Sequence, residues 1–340
     1  MTFSQFVTNV KVRLWTMIVE QTRNKRIYPC LYRSYWHYRF FKNNAQTNTT
    51  CYFASRPNPG AGIGHQLANW IAGYWFAKQF EVKFAHIPFS TQKWEKFLGF
   101  GEDEVKVSDL VKRGYKLRTL PLFDEYNLQQ TTLIHAIIQS YAGKRVVLLA
   151  EYDQFYKEQF GVRDDIKRKF NQCPERLNDK TFYNSSNFNI AIHVRRTVII
   201  DGKTTVENEA TRAMRWLSND YYENVLKRAL DHITVSKPIS IFIFSTGKQE
   251  EFAEFSKYGH IRFCSDMDEY ASFLHLIRAD LLITSKSSFS YKPALMNDYI
   301  KICPKNFWHG YPDDIRWIVA DNDGVFDEQQ LKQVIEQQLQ

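Results

Sequence analysis

Asn189-Ile-Ala-Ile-His-Val-Arg-Arg196 reads as an apolar strand that runs into a histidine and a pair of arginines. Arginine keeps its charge in a protein, and its planar fork matches phosphate oxygens. At the carboxyl end of a strand in an α/β sheet, such a pair lies where these sheets take their ligands. The same residues would also serve as a surface basic pair flanking a core strand, so the neighbouring sequence has to decide. From 188 to 320 that sequence alternates. Strands are expected at 189–195, 239–245, 261–264, 281–285 and 299–303, and helices at 219–234, 248–257, 268–278 and 289–297. Alternation of this kind gives a parallel, Rossmann-like sheet covered on both faces.

A chain of 340 residues exceeds one ordinary core and calls for two domains. The apolar share of 44% marks a globular protein. Residues 51–180 form the expected first domain. It has strands at 52–55, 82–87 and 145–150, a helix at 64–80, and a polar linker over 171–187. Residues 188–320 form the second domain, and 321–340 close the chain with an amphipathic helix over 327–339. The charge of +8 is unevenly placed. Residues 1–42 hold eight Lys and Arg against the single acid Glu20, a net +7, so the body is nearly neutral. Within the expected N-terminal segment, 1–50, residues 3–19 carry Phe3, Phe6, Val7, Val10, Leu14, Met17 and Ile18 on one helical face. The stretch 28–41 is basic and aromatic. This composition suits an anionic membrane surface, and equally a helix packed on the body with its basic face solvated. A nucleic-acid partner is not expected, because nothing in the body supports one. Cys30, Cys51, Cys173, Cys264 and Cys303 form neither a CxxC nor a metal pattern and read as reduced thiols. There is no apolar run of transmembrane length and no signal-peptide pattern, so the expected location is cytoplasmic, peripheral at a membrane.

Two further stretches carry chemistry. Gly60-Ala-Gly-Ile-Gly-His-Gln66 opens a helix. Its glycines permit close backbone approach, and a helix start offers N–H groups to an anion. As a plain turn it needs no ligand, and its spacing is not the dinucleotide fingerprint. Leu281-Leu-Ile-Thr-Ser-Lys-Ser-Ser-Phe-Ser290 runs a strand into clustered hydroxyls at a helix start. Helix capping accounts for one serine, not for four hydroxyl groups and a lysine in seven residues.

Taken together these stretches resemble the fucosyltransferases of the GT-B type, and most of all the α-1,2-fucosyltransferase family of bacteria and animals. That family's GxGNQ loop is matched by Gly62-Ile-Gly-His-Gln66, its HxRRGDY by His193-Val-Arg-Arg196, and its SxSSFSWW segment by Ser285-Lys-Ser-Ser-Phe-Ser-Tyr291. Ser218-Asn-Asp-Tyr-Tyr222 and Phe97-Leu-Gly-Phe-Gly-Glu102 are also similar to it. The chain departs from the pattern at His65 in place of Asn, at Thr197-Val-Ile-Ile-Asp201 in place of Gly-Asp-Tyr, and at Lys292 in place of the second aromatic.

The resemblance implies two Rossmann-like domains facing a central cleft. GDP-fucose would be the donor, a glycan hydroxyl (for example a lipid-linked one) the acceptor, and the sugar carbon would invert, with no metal or other cofactor. It implies that Arg195 grips the β-phosphate, that Arg196 supports it or orients the loop, and that His193 contacts the guanosine. Ser287 and Ser288 would bond the diphosphate, and Gly62, Gly64 and His65 would approach the donor from the opposite domain. A base is needed for the acceptor proton. Asp201 and Glu207 are the expected acids, with Glu151 and Asp153 as further candidates. Asp266-Met-Asp268 invites a metal reading. Between a strand and a helix, though, Asp268 is expected to cap the helix or contact guanine. The alternatives are a non-catalytic nucleotide- or carbohydrate-binding protein on the same fold, and a transferase using a different nucleotide sugar. The lack of GxxxxGK[ST] and GxSxG excludes P-loop and nucleophile-elbow chemistry.

Overall fold

The computed structural model describes residues 14–41, 50–58, 60–151, 154, 156–196, 198–200, 203–205, 209 and 214–339. It is an α/β protein with two compact units, each built on its own parallel sheet. The units do not follow chain order. The first comprises residues 1–56, 72–87 and 104–156; the second comprises 57–71, 88–103 and 157–340. Residues 57–71, 88–103 and 157–180, which the sequence places in the first domain, therefore segregate with the second unit.

The sheet of the first unit runs β2-β1-β4-β3, with β1 Tyr52–Ala54, β2 Lys83–Phe84, β3 Lys116–Thr119 and β4 Val146–Leu149, all parallel. Valine and leucine fill all four positions of β4, and all four are buried, as a parallel strand covered on both faces requires. Ala54, Ala85, Val107, Leu110, Val147 and Leu149 pack together as its core. Residues 14–22 are helical, and helix α1 (Arg33–Phe40) follows a turn of 3-10 helix over Tyr28–Leu31. This N-terminal stretch is anchored to its unit. The Tyr32 hydroxyl and the Trp15 indole both donate to Glu151 Oε2, at 2.9 and 3.0 Å. The Leu122 N–H donates to the Tyr28 hydroxyl at 2.9 Å. Glu151 is buried and held by these groups. Asp153 and the expected helix before residue 14 lie outside the described residues.

The second unit has six parallel strands in the order β9-β8-β5-β10-β11-β12. They are β5 Phe188–Val194, β8 Ile239–Ser245, β9 Ile261–Phe263, β10 Leu281–Ile283, β11 Ile300–Pro304 and β12 Trp317–Ala320. Counted along the chain from β5, the order is 3-2-1-4-5-6, the doubly wound arrangement that binds nucleotides. Every residue of β5 is buried, because it pairs with β8 on one side and β10 on the other. The helices of this unit include α2 (Ile63–Gln79), whose first half belongs here, α3 (Asn219–His232), α4 (Glu269–Arg278), α5 (Ser288–Met296) and α6 (Glu328–Leu339). Leu331, Val334 and Ile335 of α6 are buried in the main core, so the closing helix is part of this unit.

Two expectations change. Residues 249–258 are a 3-10 run interrupted at Phe252, not an α-helix. Phe252, Phe255 and Tyr258 recur every three residues, the period of that helix, and the two phenylalanines are buried. The polar run 171–187 is not a free linker. Arg176 lies 3.9 Å over the Phe170 ring, and the Tyr183 hydroxyl donates to the His275 carbonyl at 3.0 Å. The five cysteines are free thiols. Among the described residues no helix is long and apolar enough to cross a membrane.

Candidate functional site

Strand order reverses between β5 and β10, the position at whose carboxyl edge sheets of this kind have their ligand crevice. The two strands end in residues 193–196 and 284–290, the stretches singled out by sequence. They meet directly: His193 Nδ1 and Ser285 Oγ are 2.7 Å apart in a buried contact. The Ser285 N–H donates to Ser290 Oγ at 3.2 Å, and the two hydroxyls lie 3.3 Å apart. Ser285 and Ser290 thus hold the loop after β10 against the histidine, and Nε2 is the ring's remaining hydrogen-bonding atom.

Burial, with the Arg195 charge second, pushes the His193 imidazole down to about 3. The folded protein therefore keeps a neutral ring where the unfolded chain takes a proton below about 6.5. Between those values unfolding takes up a proton, so stability falls as pH drops, by about 1.4 kcal/mol per unit. From pH 7 to pH 5 the wild type should lose about 2 kcal/mol more than His193→Gln, read by urea unfolding at both pH values. Equal losses would show that His193 is not buried neutral.

The two arginines separate in role. Arg196 is turned into the protein. It donates to the Arg195 and Leu217 carbonyls at 3.1 and 3.3 Å and to Asn219 Oδ1, and its guanidinium lies 4.4 Å over the Trp216 ring. It ties the strand end to the start of α3. Arg195 is half-buried, with its charge felt at His193. Tyr222 of α3 is fully buried, and among the described residues no group meets its hydroxyl in hydrogen-bonding geometry. That hydroxyl lies near Ser285 and the Arg195 backbone, which act on its ionisation, but meets neither in hydrogen-bonding geometry. A buried hydroxyl without a partner is costly, and this one sits at the crevice.

The glycine loop also comes here. A Cβ on Gly64 would lie 2.7 Å from the Ser288 carbonyl carbon and 2.8 Å from its Cβ, so only glycine lets α2 start against α5. The Gly62 carbonyl accepts the His65 and Gln66 N–H groups at 3.0 and 3.2 Å. Gln66 is buried and clamps the loop, donating to the Ala61 carbonyl and Ser90 Oγ, both at 2.8 Å. Gly62, Gly64 and His65 therefore belong to the same unit as Ser287 and Ser288, not to an opposite one. Ser287 caps α5, accepting the Phe289 N–H at 3.2 Å, which leaves its hydroxyl proton to donate. Ser288 is half-buried beneath Gly64. Lys292, the departure in the serine motif, is fully buried and donates to Gln159 Oε1. Gln159 donates in turn to the Ala68 carbonyl at 3.3 Å, which ties α5 to α2.

Asp268 caps α4 by accepting the Ala271 N–H at 2.7 Å, and it pairs with Lys93 at 3.3 Å. Among the described residues no group of His, Cys, Asp and Glu is arranged to hold a metal. Asp201 and Glu207 lie outside the described residues. The described residues after Arg196 include a small antiparallel pair, β6 (Val198–Ile200) with β7 (Lys203–Thr205). Sequence reasoning named Ser290 among the hydroxyls at the helix start but gave Tyr222 and Ser285 no role of their own. Ser285 was signalled as the first serine after an apolar strand, and Tyr222 only as the end of the family-like stretch Ser218-Asn-Asp-Tyr-Tyr222.

No protein-family model matches the chain, and no curated protein matches it. Solved structures with a similar chain course include POFUT1 in complex with GDP, at 13% identity and a TM-score of 0.41, covering 75% of this chain and 96% of that one. The NodZ α-1,6-fucosyltransferase co-crystallised with GDP matches at 12% identity and a TM-score of 0.43, covering 82% and 98%. The fucosyltransferase NodZ from Bradyrhizobium matches at 12% and 0.40, covering 74% and 94%. At scores below 0.5 nothing about this site is carried over from them.

Proposed function

We propose that this chain is an inverting, metal-independent transferase that moves fucose from GDP-fucose to a hydroxyl of a glycan. The observation that carries this is the meeting of the arginine motif, the serine motif and the glycine loop at one strand-order reversal, where the buried Tyr222 hydroxyl has no hydrogen-bond partner among the described residues. The diphosphate would lie between Arg195 and the start of α5, with Ser287 and Ser288 as donors and the helix dipole favouring its charge. His193 Nε2 would meet the nucleoside.

In the reaction the acceptor oxygen bonds to the anomeric carbon. The bond from that carbon to the β-phosphate oxygen breaks, and its electron pair stays on GDP. The acceptor proton passes to a carboxylate, for which we place Asp201 or Glu207. The transition state has oxocarbenium character. Arg195, backbone N–H groups and serine hydroxyls stabilise the growing phosphate charge. The acceptor is proposed to be lipid-linked, with the basic N-terminal stretch on an anionic membrane surface at the cytoplasmic face.

The test is a panel of GDP, GDP-fucose, UDP-sugars and CMP-sugars, read by thermal unfolding and by sugar release with excess EDTA. GDP and GDP-fucose should raise the melting temperature, since ligand at a hundred times its dissociation constant adds about 2.7 kcal/mol. Fucose release should persist in EDTA. Stabilisation by UDP instead of GDP would assign a different donor. GDP binding without fucose transfer to any acceptor would favour the non-catalytic reading, which the altered residues after Arg196 support. No stabilisation by any nucleotide would end the proposal.

A further inference from the structure

Two tryptophans stand at the carboxyl edge of the second unit's sheet. Trp216 packs against Arg196, two residues past the end of β5, and Trp308 lies in the loop that leaves β11. Each ring faces an arginine. The Arg196 guanidinium is 4.4 Å from the Trp216 centroid, and that of Arg215 is 4.8 Å from the Trp308 centroid. Even so, Trp216 remains 39% and Trp308 37% exposed, and Met214 beside them is 68% exposed. The rest of the Trp308 environment is packed, with the Phe307 ring 4.2 Å away and Phe307 itself buried. The loop therefore presents one indole outward from a fixed base.

We infer that Trp216 and Trp308 form a stacking platform for a pyranose ring of the acceptor glycan. A pyranose has one face lined by C–H bonds and a rim of hydroxyls. A half-exposed indole offers an apolar, electron-rich face to the first. The guanidiniums polarise the indoles, and the Arg215 guanidinium beside Trp308 supplies N–H donors for the second, since Arg196 is already committed within the protein. Arg196 links Trp216 directly to the strand end that carries Arg195, which sets the indoles beside the proposed donor site. The inference rests on the donor reading for its function. The platform itself is tested separately from that reading.

The experiment is saturation-transfer NMR on the full chain with GDP present, using lactose, N-acetyllactosamine, chitotriose and maltotriose as probes. At least one should receive saturation at its ring C–H protons. Trp308→Ala and Trp216→Ala should each weaken that binding at least tenfold, and Trp308→Phe should retain most of it. GDP affinity is measured in parallel on every variant. Trp308→Ala is the cleaner probe, because Trp308 does not touch Arg196. If none of the four sugars receives saturation, or if the double alanine variant binds as the wild type does, the platform is overturned. If a sugar binds through the tryptophans but GDP does not bind, the donor reading fails and the platform stands.

Discussion

Replacing Arg195 by alanine is expected to remove most of the stabilisation that GDP confers, weakening binding by about 2–4 kcal/mol. A diphosphate in the crevice between β5 and β10 loses its fork-shaped counter-charge, and the serine hydroxyls near it cannot supply one. Arg195→Lys should recover little, because a point charge does not reproduce two parallel N–H bonds. The informative comparison is Arg196→Ala. Arg196 is committed to the Leu217 carbonyl, to Asn219 and to the Trp216 ring. Its loss should lower the melting temperature of the unliganded protein more than Arg195→Ala does. Calorimetry with GDP and thermal unfolding without it separate the two roles. Equal GDP affinity in wild type and Arg195→Ala would remove the diphosphate from this crevice.

The parallel sheet around the site was legible in the sequence because its central strands are continuous apolar runs. Phe188–Val194 and Leu281–Ile283 are buried throughout, and such runs bounded by helical patterns have one economical arrangement. Trp317–Ala320 was not foreseen as a strand, since four residues give no usable period. The arginine and serine motifs were visible because each sits at the end of its own strand. The role of Tyr222 was not, because it is one of several buried residues on an amphipathic helix, in its first turn, and only the tertiary packing of α3 brings its hydroxyl to the strand ends. Gly64 looked like a loop glycine that a turn could explain. Its close approach to Ser288 is a contact between segments more than two hundred residues apart, which spacing cannot reveal. The unit assignment of 57–71 was missed for the same reason.

Charge reversal and aromatic loss on the N-terminal stretch should abolish binding to anionic vesicles while leaving the fold intact. The sequence left open whether this stretch packs on the body or lies on a membrane. Its two sides are consistent with both at once. Val19, Tyr28, Tyr32 and Ser34 are buried, and Ser34 donates to the Thr119 carbonyl at 2.7 Å. On the other side Phe40, Phe41 and Ile27 are 74%, 63% and 59% exposed, among the exposed bases Arg23, Lys25, Arg26, Arg33 and Arg39. Truncating the first 42 residues would be a poor test, because it strips Tyr32 and Trp15 from Glu151 and leaves a buried carboxylate without those donors. Lys25→Glu with Arg26→Glu and Phe40→Ser with Phe41→Ser touch only exposed side chains. Each basic residue at an anionic surface contributes roughly 1 kcal/mol, so reversing two should cost more than tenfold in affinity. Co-sedimentation with phosphatidylserine-containing vesicles should be strong for the wild type at low salt, weaker at high salt, and absent for the fourfold variant. Its melting temperature and GDP affinity should match the wild type's. If the wild type stays in solution at low salt, or the variant sediments with it, the exposed face has no lipid role.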